Sequence, residues 1–140
     1  MLWENTLLAY ADDIRARTWV DWLKAHTSFM KPLHRYRGSL ELRDPALRFH
    51  GEDLKEGRHF QLVVPLSAIR GLHLGFDDVF RRTEDRQLGL FGFQPLRITH
   101  EDANELRTLY IFAHFHHRLG VRASDNRELY RELVSRLRQP

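Results

Sequence analysis

The chain contains no cysteine, which removes disulfides, thiol catalysis, thiolate metal sites and thiol redox switching from its chemistry. Nowhere do about 18 apolar residues run together, so no membrane-spanning helix is expected. The opening MLWENTLLAYADDIRAR has no basic start followed by an apolar core, so it does not read as a signal peptide. There is no HExxH pair, no GxSxG elbow and no P-loop: GLFGF lacks the lysine and the serine or threonine that a phosphate loop requires. These absences lead to the expectation of a non-enzyme without metal or cofactor. A cytoplasmic location is expected, with peripheral contact to a membrane as the variant.

Lysine is also scarce. Of 22 basic residues only Lys24, Lys31 and Lys55 are lysines, the rest being arginines. Arginine forks suit phosphate or carboxylate, yet a genome-wide codon bias produces the same skew and is the reading preferred. The net charge of +3 is dispersed among 19 acids, whereas tracking a nucleic-acid backbone needs a clustered stripe. The 140 residues match the usual size of one domain. A chain of this length buries roughly 68–70% of its unfolded surface and needs no covalent staples. No repeat, low-complexity tract or linker divides it, so one domain over 1–140 is expected.

The stretch from Phe60 to Phe80 organises the rest. Phe60, Leu62, Val64 and Leu66 alternate with other residues, the period of a strand with one buried face. Pro65 interrupts the ladder, SAI turns a corner, and Leu72, Leu74 and Phe76 alternate again. Ile69 is out of phase with Leu72, and a bulge at Gly71 reconciles them. Before this pair, Leu40 and Leu42 alternate, Asp44-Pro45 turns, and Leu47 and Phe49 alternate on the return, which reads as a hairpin. Gly51 to Gly57 is a polar turn. After the pair, PLRITH predicts a strand, Glu101 to Glu105 a turn, and Leu106 to Phe115 a strand buried on both faces, followed by a polar loop, HHRLGVRA. The last element is an amphipathic helix over 124–138. Ser124 or Asp125 caps it, with Glu128 completing a capping-box variant. Leu129, Tyr130, Leu133, Val134 and Leu137 form its apolar stripe, and Arg127, Glu128, Arg131, Glu132 and Arg136 face water. At the other end, Leu7, Leu8, Ala11, Ile14, Trp19, Trp22 and Leu23 have loosely helical spacing and predict a helix from Trp3 to about Lys24, within an N-terminal extension over 1–35. A loop, His26 to Arg35, follows it.

Short strands followed by one terminal amphipathic helix resemble the pleckstrin-homology-like superfold in its GRAM-like and bacterial variants. SLELRDPALRF resembles a first hairpin, VVPLSAIRGL the strand–Pro–Leu–Ser–x–Ile corner, and SDNRELYREL an asparagine-bearing helix start. The resemblance covers about Arg37 to Arg138. It implies a mainly β fold with α: a bent antiparallel sheet or partly open barrel over 36–138, closed at one end by the final helix. In lipid-binding members, basic residues in and beside the first hairpin hold inositol phosphates. Here that hairpin offers Arg43-Asp44-Pro45-Ala46 with Arg48 beyond, too tight for a cradle and opposed by Asp44, so the headgroup site is not carried over.

Four features of the sequence are candidate sites. His114 and His116 in HFHH would share one face of a strand, but a catalytic zinc site needs three protein ligands; a strand end entering a polar loop is the simpler reading. Asp77 and Asp78 are adjacent, so on a strand they point to opposite sides and make a poor acid/base pair. LGLFGF reads either as a core strand or as an exposed apolar patch, Phe91 and Phe93 among it, rimmed by Arg81, Arg82 and Arg86. Trp19 and Trp22, with Trp3, either dock the N-terminal segment on the body or face a partner. The functional expectation is a non-catalytic module for protein interaction or self-assembly, homodimerisation included. Anionic-lipid binding through the Arg81–Phe93 loop is the alternative. Single-stranded nucleic-acid binding is the second alternative and is disfavoured, because the aromatics occupy core-like positions.

Overall fold

The structure is a computed structural model, and it describes residues 1–16, 34–80, 94–118 and 121–138. Strand β1 spans Leu2–Tyr10, helix α1 Ala11–Arg15, β2 Tyr36–Arg43, β3 Ala46–Asp53, β4 Arg58–Pro65, β5 Ile69–Leu74, β6 Leu96–Asp102 and β7 Glu105–Phe112. Two short strands follow, β8 (His116–Arg118) and β9 (Val121–Ala123), and then helix α2, Asn126–Leu137. Seven strands form one antiparallel sheet in the order β4-β3-β2-β1-β7-β6-β5. The fold is therefore mainly β with a C-terminal helix.

Connectivity forces the sheet to curl. Its two edges, β4 and β5, are consecutive in sequence and joined only by a 3-10 turn, Leu66–Ala68. Six strand spacings would separate the edges of a flat sheet by about 29 Å. Four extended residues reach only about 14 Å. The sheet must bend until Pro65 and Ile69 come within that reach. One core then touches every strand: Trp3, Leu8, Leu40, Leu47, Val64, Ile69, Leu96 and Ile111 share it with Leu129 and Leu133 of α2. The helix packs on this concave face through Leu129 and Leu133. Arg136 near its C-terminus reaches Asp44 in the β2–β3 turn at 2.8 Å.

The expected N-terminal helix is not formed over Trp3 to Tyr10, which lies in β1 at the centre of the sheet. Among the described residues of 1–35, helix is confined to Ala11–Arg15. The physical reason is burial on both faces. Leu8 and Tyr10 enter the concave core while Leu7 and Ala9 enter a second cluster behind the sheet. A strand buried twice shows an apolar run, not alternation, and such a run mimics a helix. The bulge between Trp3 and Thr6 blurs the period further.

The remaining expectations fare unevenly. β2 and β3 pair around Asp44-Pro45, with Leu40 opposite Phe49 and Leu42 opposite Leu47. The register slips between Ile69 and Gly71, as the bulge required. β7 is buried on both faces from Leu109 to Phe112, although Leu106 at its start is 65% exposed. The turn before it carries positive φ at both Ala103 and Asn104, as a two-residue hairpin turn demands. HHRLGVRA is not a plain loop: most of it forms the β8–β9 pair. At α2, Asp125 makes no side-chain cap. Glu128 accepts a hydrogen bond from Trp3 Nε1 at 3.0 Å and Arg136 pairs with Asp44, so these two side chains hold the helix to the sheet.

Candidate functional site

The outer face of the sheet divides into two parts. Over β2–β4 it is polar and open, with Arg48, His50, Glu52, His59 and Gln61 exposed. Over β1 and β7 it is covered by a second apolar cluster: Leu7, Ala9, Ala11, Ile14, Phe80, Tyr110, Phe112 and Phe115. Phe80 is fully buried there, its ring 5.4 Å from Tyr110 and 5.6 Å from Phe112. Ile14 and Phe80, which precede residues 17–33 and 81–93 in the chain, both belong to this cluster.

Asp77 pins the point where residues 81–93 leave. Its Oδ1 accepts the N–H groups of Val79 and Phe80 at 2.9 and 2.7 Å. Its Oδ2 accepts the Tyr110 hydroxyl at 2.7 Å and Arg97 Nη1 at 3.0 Å. Burial opposes ionisation of Asp77, but the bonds from Tyr110, Phe80, Val79 and Arg97 outweigh it and hold the carboxyl below its usual range. Burial and the facing carboxylate push the Tyr110 hydroxyl upward. At the return end, Gly75 N–H donates to the Pro95 carbonyl at 2.9 Å, and the Gln94 carbonyl accepts Asn126 Nδ2 at 2.6 Å.

An arginine clamp pins the other departure. Arg35 donates from Nε and Nη2 to the two oxygens of Asp53 at 3.1 and 2.8 Å, and from Nη1 to Asp13 at 2.9 Å. The bidentate geometry is the strong form of this pairing. Those bonds, helped by the N–H groups of Glu56 and Lys55 and opposed by burial, lower the Asp53 carboxyl to about 2. Asp13 also accepts the Tyr10 N–H at 2.9 Å. Asp13 and Arg35 are thereby tied to each other and to β1 and β3. Ile14 and Phe80 share one cluster, so the two departures are neighbours on the outer face.

Asp77 and Asp78 do not form an acid/base pair. The backbone turns after Asp77, whose oxygens are taken up by four donors, while Asp78 is exposed. His114 and His116 do approach, with rings 4.7 Å apart, but not on one strand: His116 opens β8, whereas His114 has φ of 50° in the turn before it. Its Nδ1 lies 3.0 Å from the Glu4 carbonyl, and His116 Nδ1 lies 2.6 Å from the His114 carbonyl. No third histidine, aspartate or glutamate completes a metal set among the described residues. His100 pairs with Arg107 toward the far end of β7. Trp3 is buried and docks its segment as expected. Trp19, Trp22, Arg81, Arg82, Arg86, Phe91 and Phe93 lie outside the described residues, as does the whole of LGLFGF. The Arg35 clamp was not legible in sequence, because its partners stand 22 and 18 positions away with no local pattern to join them.

Among the described residues no helix is long and apolar enough to cross a membrane. Comparison with protein families, with characterised proteins and with solved structures finds no match.

Proposed function

We propose that the chain is a non-catalytic pleckstrin-homology-like module that binds a protein partner or a second copy of itself. Seven antiparallel strands closed by one terminal helix support the superfold. The observation that carries the functional reading is the shared root on the outer face of β1 and β7. The stretch with Trp19 and Trp22 and the stretch with Arg81, Arg82, Arg86, Phe91 and Phe93 both begin at a cluster containing Ile14 and Phe80. Their bases are held by Arg35 and Asp77, and a rigid base suits chain that must meet a partner.

Counting β1 as the first strand changes the lipid argument. The tight Asp44-Pro45 turn joins the second and third strands, and Asp44 is neutralised by Arg136. The first connection is the longer one between β1 and β2. The lipid alternative is therefore a separate arm of the test. Light scattering and sedimentation with anionic vesicles are compared for the wild type and a folded Phe91→Asp, Phe93→Asp variant. Loss of a self- or partner complex in the variant, with no vesicle binding by the wild type, supports the reading. Vesicle binding abolished by the variant replaces it with the lipid alternative.

A further inference from the structure

The two edges of the sheet are protected differently. β5 is six residues long, carries Arg70 and His73, is bulged at Gly71 and lies against α2. Shortness, a bulge, charge and a covering element are the means by which sheets prevent edge-to-edge pairing. Among the described residues, β4 has none of them along its middle. It runs for eight residues, RHFQLVVP, and no charge occurs from Phe60 to Ile69. Among the described residues no strand pairs with its outer side, where the N–H and C=O groups of every second residue point away from β3.

The side chains beside this edge are also incompletely buried. The hydrophobic residues that only partly bury against the concave core are Phe60, Leu62, Leu66, Leu72, Leu74 and Tyr130. They come from the two edge strands β4 and β5, the corner between them and the helix. On the opposite side of β4, Val63 is 56% exposed. Phe60, Leu62 and Val63 thus retain apolar surface on both faces of a strand whose outer side is unpaired among the described residues.

We infer that the β4 edge is a homodimer interface, in which β4 of a second copy pairs antiparallel across a two-fold axis at Gln61. The axis position follows from Pro65. Proline has no N–H to donate, and centring on Gln61 pairs residues 58–64 and leaves Pro65 outside. On the concave side Phe60 then faces Leu62 of the second copy, so each covers the other's exposed surface. On the outer side Val63 faces His59. Arg58, the one charged residue in the paired span, faces Val64, so no like charges meet. In the existing sheet Arg48 pairs with Val63 and Glu52 with His59. Each outer row across the dimer consequently carries Arg48 of one copy and Glu52 of the other, beside Glu41 and Arg37 of their own sheets. Two-fold pairing of an identical patch is the commonest route to a dimer.

This surface is distinct from the outer face of β1 and β7, and the two are tested apart. Sedimentation velocity of the full chain over a wide range of concentration should show a reversible monomer–dimer equilibrium. Gln61→Lys and Gln61→Glu place like charges together on the axis and should each shift the protein to monomer. Gln61 is exposed, so both variants should keep the wild-type fold by circular dichroism. Mixing them in equal amounts should restore the dimer, because lysine then meets glutamate. A monomeric wild type at all concentrations overturns the proposal. So does a dimer that neither Gln61 variant weakens, or one lost only in the Phe91→Asp, Phe93→Asp variant, which would place self-association on the other face.

Discussion

Gly38 and Gly51 face each other across β2 and β3. A Cβ added to Gly51 would lie 2.2 Å from the Arg37 carbonyl oxygen, and one added to Gly38 would lie 2.2 Å from that of His50. Both obstructions are backbone, which cannot swing aside as a side chain does. Close approach between strands is a recognised reason for glycine in a sheet. Gly51→Ala should therefore lower stability by about 2 kcal/mol or more, read from the denaturant midpoint. Gly57, which has open space around its Cβ position, provides the contrast: its φ of +66° penalises alanine through the backbone and not through collision. In the sequence both residues read simply as turn markers. The crossing that makes Gly51 special depends on Gly38, thirteen positions earlier.

At the level of elements, α2 is attached by side chains more than by its own caps. Asn126 is buried, and its Oδ1 accepts the Ala113 N–H at 2.8 Å. Its Nδ2 donates to the carbonyls of Ile111 at 2.9 Å and Gln94 at 2.6 Å. One amide thus joins the helix start, the end of β7 and the segment entering β6. Asn126→Ala would leave these backbone groups without partners, and buried polar groups without partners are costly. The expected loss is about 3 kcal/mol, with Trp3 fluorescence reporting release of the helix end. The apolar stripe of α2 was legible because a single face is buried and the 3.6-residue period survives. β1 was not, because it is buried on both faces and bulged. The difference lies in how many sides of an element meet the core, which local sequence does not record.

For the molecule as a whole, stability should fall with acidification in two separate windows. His100 is buried, and its Nε2 has no partner among the described residues. Burial depresses its basicity, opposed in part by a backbone bond to Glu101 and by the Asp102 charge. The Tyr10 ring lies 6.5 Å away and Arg107 pairs opposite. A histidine with a depressed folded value binds its proton more readily when unfolded. Its contribution is thus complete above the unfolded value near 6.5, and is lost as pH falls from there toward the folded value. Asp53 follows at lower pH: its carboxyl is lowered to about 2 by Arg35. Its contribution is present above the ordinary carboxylate range and disappears as pH falls from about 4 to about 2. Asp77 is shifted the same way. Denaturant midpoints measured from pH 8 to 2 should show both declines. His100→Leu should flatten the first and leave the second, whereas Asp53→Asn should do the reverse.

The sequence by itself determined the local events: the Asp44-Pro45 hairpin, the corner after Pro65, the bulge at Gly71 and the amphipathic terminal helix. Each follows from a backbone restriction or a one-sided apolar period within a few residues. Only the tertiary structure decided that β1 joins the two halves of the sheet and that Arg35 meets Asp13 and Asp53. It also decided that one edge is guarded while, among the described residues, β4 is left open. These depend on which segments become neighbours when the sheet curls, and that is a property of long-range packing. The alternation of Phe60, Leu62 and Val64 announced a strand; its place at the edge came from the six strands arranged beside it.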